Sequence, residues 1–208
     1  MEDKIRLLKF FEKPEYAEAF LCGNLHMNPL EYFVSLEQDA VRTDKNEGAD
    51  FSIQAETVEI QDPKTGKFVP VGGVINPIIY RNGYPKGINA YCMYGFPSTH
   101  GHQIDPRNLK FGSSYVALTD TKEFIERARR AALRENLALN SGRITYVDRT
   151  TYHGALGPFR KFSEFSYQYE FRLVLSGGNG NALDFPIGDI RDICVVGQTT
   201  EIIRPRFT

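Results

Sequence analysis

The residues with the most chemistry to offer lie in Phe159-Arg160-Lys161-Phe162 followed by Tyr167-Gln168-Tyr169-Glu170-Phe171-Arg172, the second part above all. Read as a strand from Tyr169 to Val174, this stretch alternates its side chains between two faces. Glu170 and Arg172 then share one face, and Tyr169, Phe171 and Leu173 the other. Residues two apart on a strand stand roughly 6–7 Å apart. That spacing sets a carboxylate beside a planar guanidinium, a pair able to orient a ribose hydroxyl and to grip a phosphate or carboxylate. The blander account of the same residues is an ion pair on a solvent face. Three further stretches carry more polar and aromatic groups than packing needs. They are Leu25-His26-Met27-Asn28-Pro29-Leu30-Glu31-Tyr32-Phe33, Tyr91-Cys92-Met93-Tyr94, and a polar loop with Glu37, Asp39, Arg42, Asp44, Glu47 and Gly48. An Arg42–carboxylate pair is expected to order that loop at the edge of a cleft that also holds Glu170, because loops tied to a scaffold commonly hold binding residues. The simpler alternative is a solvated charged loop.

Familiar motifs are missing. The chain has no Gly-rich phosphate loop and no Gly-x-Ser-x-Gly elbow. His100 and His102 flank Gly101, but no Cys or HxxxH pattern joins them, so a polar loop is expected there and no metal site. Cys22, Cys92 and Cys194 are odd in number and far apart, which argues against a disulfide framework. Cys22 and Cys92 follow or sit in apolar stretches and are expected buried and unpaired.

The elements that must position these groups form one domain over residues 1–208. With 25 Lys+Arg against 26 Asp+Glu, the chain is no strongly basic polyanion binder. No apolar run reaches the roughly 20 residues of a membrane span, and the N-terminus lacks a secretory leader, so a cytoplasmic location is expected. Strands are expected at 5–11, 25–28, 52–60, 68–71, 74–80, 90–96, 114–118, 143–147, 169–175, 182–186 and 190–196, with one more at Ile202 and Ile203. Helices are expected at 15–21, 30–36 and about 121–139, the last capped by Thr119-Asp120. The fold class is therefore α+β: a mixed or antiparallel sheet with short N-terminal helices and one longer mid-chain helix.

The order of these stretches resembles a group of uncharacterised bacterial and phage-associated proteins of abortive-infection type. Their shared pattern matches Leu25 to Phe33, Asp44 to Gly48, Cys92 to Tyr94, Phe111 to Phe124, and Tyr167 to Arg172. The strand–helix–strand start and the late Glu also resemble the ADP-ribosyltransferase fold. That resemblance implies NAD as substrate, split between early strands and a late catalytic Glu. Carried onto this sequence, it makes Glu170 the catalytic carboxylate and Gln168, two residues before it, the target-orienting partner. Arg6 or Lys9 becomes the early-strand polar residue, Tyr32 the nicotinamide stacker, and Asn28 and Arg172 further binding residues. The chain departs from the family in having no Ser-Thr-Ser after its second strand, no His in its first and no Glu-x-Glu. The function implied is an NAD-dependent toxin or phage-defence effector that modifies an RNA, DNA or protein target and is countered by a neutralising antitoxin.

The other class is a binding module without chemistry, for nucleic acid or protein. Arg127, Arg129, Arg130 and Arg134 run along one helix, with Arg107 and Lys110 nearby in sequence, and basic helix faces bind phosphates. Glu123, Glu126 and Glu135 dilute that stripe, which also reads as a solvated helix face.

Overall fold

A computed structural model describes residues 5–35, 44–73, 75–82, 87–97 and 102–202. The chain opens with β1 (Ile5–Phe11), α1 (Pro14–Leu21), β2 (Asn24–Pro29) and α2 (Leu30–Ser35). Short strands β3 (Phe51–Ile53), β4 (Val58–Gln61), β5 (Phe68–Val71) and β6 (Ile78–Tyr80) follow. Then come the long β7 (Ile88–Pro97), β8 (Ser114–Leu118), α3 (Thr121–Arg134), β9 (Ala138–Arg143), β10 (Thr145–Val147), β11 (Gly154–Ala155) and β12 (Arg160–Phe162). The described chain closes with β13 (Glu170–Ser176), β14 (Leu183–Pro186), β15 (Cys194–Gln198) and α4 (Thr199–Ile202). The class is mixed α+β with mostly antiparallel sheets; β10 and β12 pair in parallel. Among the described residues no helix is long and apolar enough to cross a membrane.

The eight-stranded main sheet is built on β7. One edge of β7 pairs along its length with β13, from Ile88↔Ser176 to Tyr94↔Glu170. The other edge is shared by two strands. Asn89 and Ala90 pair with Pro29 and Asn28 of β2, while Tyr94 to Pro97 pair with Leu8 to Ile5 of β1. Beyond the fork β1 continues along β8 and β2 along β14. Tyr91, Cys92 and Met93 therefore face no strand on that edge. Gly95 is needed beside the fork, because a Cβ there would come within 2.8 Å of the Phe171 Cβ.

One face of the sheet carries the main core. Leu7 and Phe11 of β1, Leu25 and Met27 of β2, Tyr91 and Met93 of β7, and Phe171, Leu173 and Leu175 of β13 meet α1 and α3 there. Phe20 of α1 lies against Tyr91 and Phe124 at ring-centroid distances of 5.8 and 5.9 Å. The opposite face carries Leu8, Phe10 and Tyr94 in one small cluster, and Leu30, Ala90 and Val174 in another.

Six sequence expectations need correction. Among the described residues the 74–80 strand is formed only at Ile78–Tyr80, after Pro77, and 143–147 is split at Ile144 between β9, which pairs with β13, and β10, which pairs with β12. The alternating run 52–60 is two strands, because β3 joins β6 and β11 while β4 turns back on β5 through the Asp62–Lys67 turn. The Ile202 strand is instead the helix α4; Ile203 lies outside the described residues. Residues 191–193 form a 3₁₀ turn that delays β15 to Cys194. The long helix stops at Arg134 rather than 139. Asn136 takes a left-handed φ of 54°. Its N–H bonds the Leu133 carbonyl and that of Leu137 the Ala132 carbonyl. That is the two-bond terminator that uncovers the last helical carbonyls least, and it frees Leu139 to pair opposite Leu175. Asn136→Gly should keep or raise stability, since Gly enters the left-handed region without a Cβ penalty. Asn136→Val should cost about 1–2 kcal/mol, read from the denaturant midpoint.

Candidate functional site

A groove of about 710 Å³ opens at the fork. It is walled by Phe11, Phe20 and Tyr91 from one face of the sheet and by Phe10, Cys92 and Tyr94 from the other, which an unbroken sheet could not allow. Its volume is in the range of small-molecule sites. Lys9 of β1 closes the unpaired edge: its Nζ donates to the Cys92 carbonyl at 2.6 Å and lies 4.6 Å from the Tyr91 ring centre. An ammonium thus replaces the ladder donor that a paired strand would supply.

Glu170 and Arg172 stand together on the groove face of β13, as the alternation requires, but not on a solvent face. Glu170 is 6 % exposed and Arg172 1 %. Arg172 Nε donates to Glu170 Oε1. Its two terminal nitrogens form a fork onto Glu47, at 2.7 and 2.6 Å, and one also donates to the Pro158 carbonyl. Lys161 of β12 completes the cluster: its Nζ lies 2.7 Å from Glu170 Oε2 and 3.4 Å from Glu47 Oε2, and donates to Gln168 Oε1 at 3.0 Å. Two cations and two anions are buried together, and among the described residues no buried side-chain polar atom lacks a partner.

Burial alone would neutralise these groups. Here the burial penalty on Glu170 is outweighed by Arg172 and then Lys161, which hold its carboxyl well below the usual carboxylate range. The same balance lowers Glu47. Lys161, penalised by burial, is nonetheless raised by Glu170 and Glu47. Asp44 goes the other way. Burial, then the nearby Glu47, raises its carboxyl above the usual value. The Cys92 thiol is pushed up to about 12, by burial and then by Glu170.

The other expected site residues divide. Gln168, Asn28 and Tyr32 all line the groove with Glu170 and Arg172. Arg6 does not: it sits opposite Phe96, beyond the fork, and is exposed. Of the two early-strand cations it is Lys9 that reaches the groove. Gln168, Tyr169 and Glu170 are not three positions of one strand. Gln168 ends the 3₁₀ turn Ser163–Gln168, Tyr169 is left-handed at φ 42°, and Glu170 begins β13. The Tyr169 ring consequently leaves the Phe171 face and packs against Tyr94 and His102. Gln168 and Glu170 still meet, because both bind Lys161.

A loop this polar is expected to be exposed, but Asp44 and Glu47 are buried, because Glu47 is held by Arg172 and Lys161; Arg42, Asp39 and Glu37 lie outside the described residues. His102 bonds the Tyr94 hydroxyl at 2.7 Å, His100 lies outside the described residues, and among the described residues no group of three ligating side chains could hold a metal. Cys22 is exposed rather than buried, at the C-terminus of α1 beside Glu18 and Arg191, and Cys92 is only partly buried; both are unpaired, as expected. Sequence reasoning missed the role of Lys161. Its signal was a cation set between Phe159 and Phe162, next to the stretch that holds Glu170. It also missed His26, which lines the groove and bonds Asp184 of β14.

Compared with known proteins, the chain matches no family model, no curated protein and no solved structure.

Two predictions follow from the cluster. Arg172→Met strands Glu47 and Glu170 with Lys161 alone, and should cost about 3–5 kcal/mol of stability by chemical denaturation at neutral pH. Because Glu47 and Glu170 are depressed, the stability they contribute is present above the unfolded carboxylate pKa of about 4.3. It is lost as pH falls through their folded values. Lys161, being raised, contributes throughout neutral pH and loses that contribution only as pH rises through its folded value. The Arg172→Met deficit should therefore hold steady from about pH 5 to 9 and shrink in acid. Asp44→Asn should raise stability at neutral pH. It removes a buried charge that repels Glu47 while an amide oxygen still accepts the Asn46 N–H, now bonded at 2.9 Å. Since the Asp44 pKa is raised, its cost is complete above that pKa and gone below the unfolded Asp pKa of about 3.9, so the gain should fade as pH falls between the two.

Proposed function

We propose that the groove binds NAD and that the protein transfers its ADP-ribosyl group to a macromolecular acceptor, in the manner of the ADP-ribosyltransferases that its strand–helix–strand start and late Glu resemble. The observation that carries this reading is the meeting of Glu170, Gln168, Asn28 and Tyr32 in one groove at a fork between two early strands. The chemistry suits the electrostatics. Breaking the bond between ribose C1′ and the nicotinamide nitrogen develops positive charge on the ribose. A carboxylate held ionised in a low-dielectric site stabilises such charge strongly. Arg172, Lys161 and the Cys92 thiol bond the Glu170 carboxylate. A carboxylate has about four acceptor sites, which leaves one for a ribose hydroxyl. Tyr32 is 42 % exposed and supplies a ring at the groove; Lys9 supplies positive charge for a pyrophosphate, and Arg172, committed to Glu47 and Glu170, holds the catalytic carboxylate in place.

A nucleic-acid-binding module draws less support. Arg127 is bonded to Glu123 and Asp192, Arg129 to Glu126 and Arg130 to Glu123, so much of the basic stripe on α3 is neutralised within the fold. An ion pair on the surface would predict that Glu170→Gln is mild. Burial changes that: the variant should lose stability as well as activity, so loss of activity must be read on folded protein. Release of nicotinamide from NAD by the wild type should fall by at least a hundredfold in Glu170→Gln, assayed at a temperature where circular dichroism shows it native. Tyr32→Ala, at an exposed position, should keep the fold and raise KM for NAD. A wild-type protein that neither binds NAD calorimetrically nor releases nicotinamide overturns the proposal.

A further inference from the structure

The groove contains a pair that the proposed role of Glu170 leaves unused. His26 Nδ1 lies 2.7 Å from Asp184 Oδ1, across the β2–β14 register in which the two residues are directly opposed. The side chains are 60 % and 65 % exposed, and both residues line the groove. An exposed pair of this kind adds little to stability. What it does fix is a ring. A carboxylate only accepts, so Nδ1 donates its N–H to Asp184, and in the neutral ring Nε2 keeps its lone pair, the tautomer of a general base.

The placement fits that role. Asn28 is directly opposite Ala90, so its side chain shares the face of Ala90 and Val174, and His26, two residues earlier, shares it too. This is the face of Glu170 and Arg172. Continuing the β2–β7 register past the fork brings His26 level with Cys92, whose partner on the other edge is Arg172. The strands carrying His26 and Glu170 therefore flank β7 from opposite sides, about 10 Å or more apart. A ribose held by Glu170 and an acceptor approaching its C1′ fill such a gap.

We propose that His26, oriented by Asp184, is the base that activates a hydroxyl acceptor, water included, in the ADP-ribosyl transfer on which this inference rests. The acceptor O–H gives its proton to His26 Nε2. Its oxygen bonds ribose C1′ as the C1′–N bond breaks, and that bond pair stays on the nicotinamide nitrogen, cancelling its positive charge. His26 then returns the proton to solvent. A carboxylate acceptor, which arrives without a proton, would need no such group. The acceptor proposed is therefore one that carries a proton to give up, here a hydroxyl.

The test follows nicotinamide release and ADP-ribosyl transfer by wild type, His26→Ala, His26→Gln and Asp184→Asn, each checked for an unchanged thermal midpoint. His26→Ala should lose 10²–10⁴-fold in kcat with KM for NAD little changed, and imidazole added to the buffer should restore at least tenfold of it. His26→Gln should be as slow and should not respond to imidazole, and Asp184→Asn should be intermediate. Full activity in His26→Ala, or a loss that imidazole leaves untouched, overturns the role of His26 while leaving NAD cleavage standing. Absence of nicotinamide release in the wild type overturns both.

Discussion

The Arg172 guanidinium holds three distant parts of the chain in one place. It sits in the middle of β13, its fork grips Glu47 of the loop before β3, its Nε takes Glu170, and one nitrogen bonds the carbonyl of Pro158 just before β12. Lysine could not replace it, because only a planar fork meets a carboxylate with two parallel bonds while keeping donors for two other partners. A buried ion pair is weak evidence of stability, since desolvation of both partners offsets most of their attraction. Its stronger effect is on uniqueness. Four buried charges can be satisfied together in very few ways, so the loop, β12 and β13 are locked into mutual register. The sheet face that borders the groove is rigid for that reason.

The fork in the sheet depends on that rigidity. Along Tyr91–Met93, β7 gives up strand pairing on one edge, which leaves backbone groups to be satisfied elsewhere. Lys9 meets the Cys92 carbonyl, while β13 keeps an unbroken ladder on the opposite edge. A sheet held on one side can open on the other. The opening is walled by buried aromatic rings from both faces and borders on ionised groups, whose fields a low dielectric strengthens.

The parts legible in the sequence were those with local causes. Alternation placed Glu170 and Arg172 on one face, α1 showed its apolar stripe and Pro14, and β8 ended where Asp120 caps α3. The errors came where a residue's partner is distant or its backbone unusual. The helical pattern of α3 runs on through Leu139, and only the left-handed Asn136 ends it. Nothing local separates β3 from β4, which differ only in the strands they meet. Glu47 was visible as a loop acid, but its partner is 125 residues away. Burial of the whole cluster was equally invisible, because a charged residue reads as surface until its counterions are known.

Under the proposed transfer, one carboxylate in this cluster serves two ends. As a member of the buried network, Glu170 is held ionised by Arg172 and Lys161. A carboxylate left alone at that depth would take up a proton and lose its field. The same cations that hold the charge on Glu170 also spread it, so the net field reaching the groove is smaller than that of an isolated anion. Geometry limits this loss. Arg172 and Lys161 take one oxygen each and the Cys92 thiol a further acceptor site, while Glu170 itself lines the groove. In the proposed transfer the cation forming on the ribose would contact Glu170 directly, and Coulomb attraction rises steeply at such short range. Under that proposal, folding and chemistry draw on one arrangement, a reason for so polar a cluster to sit in an aromatic-rich sheet.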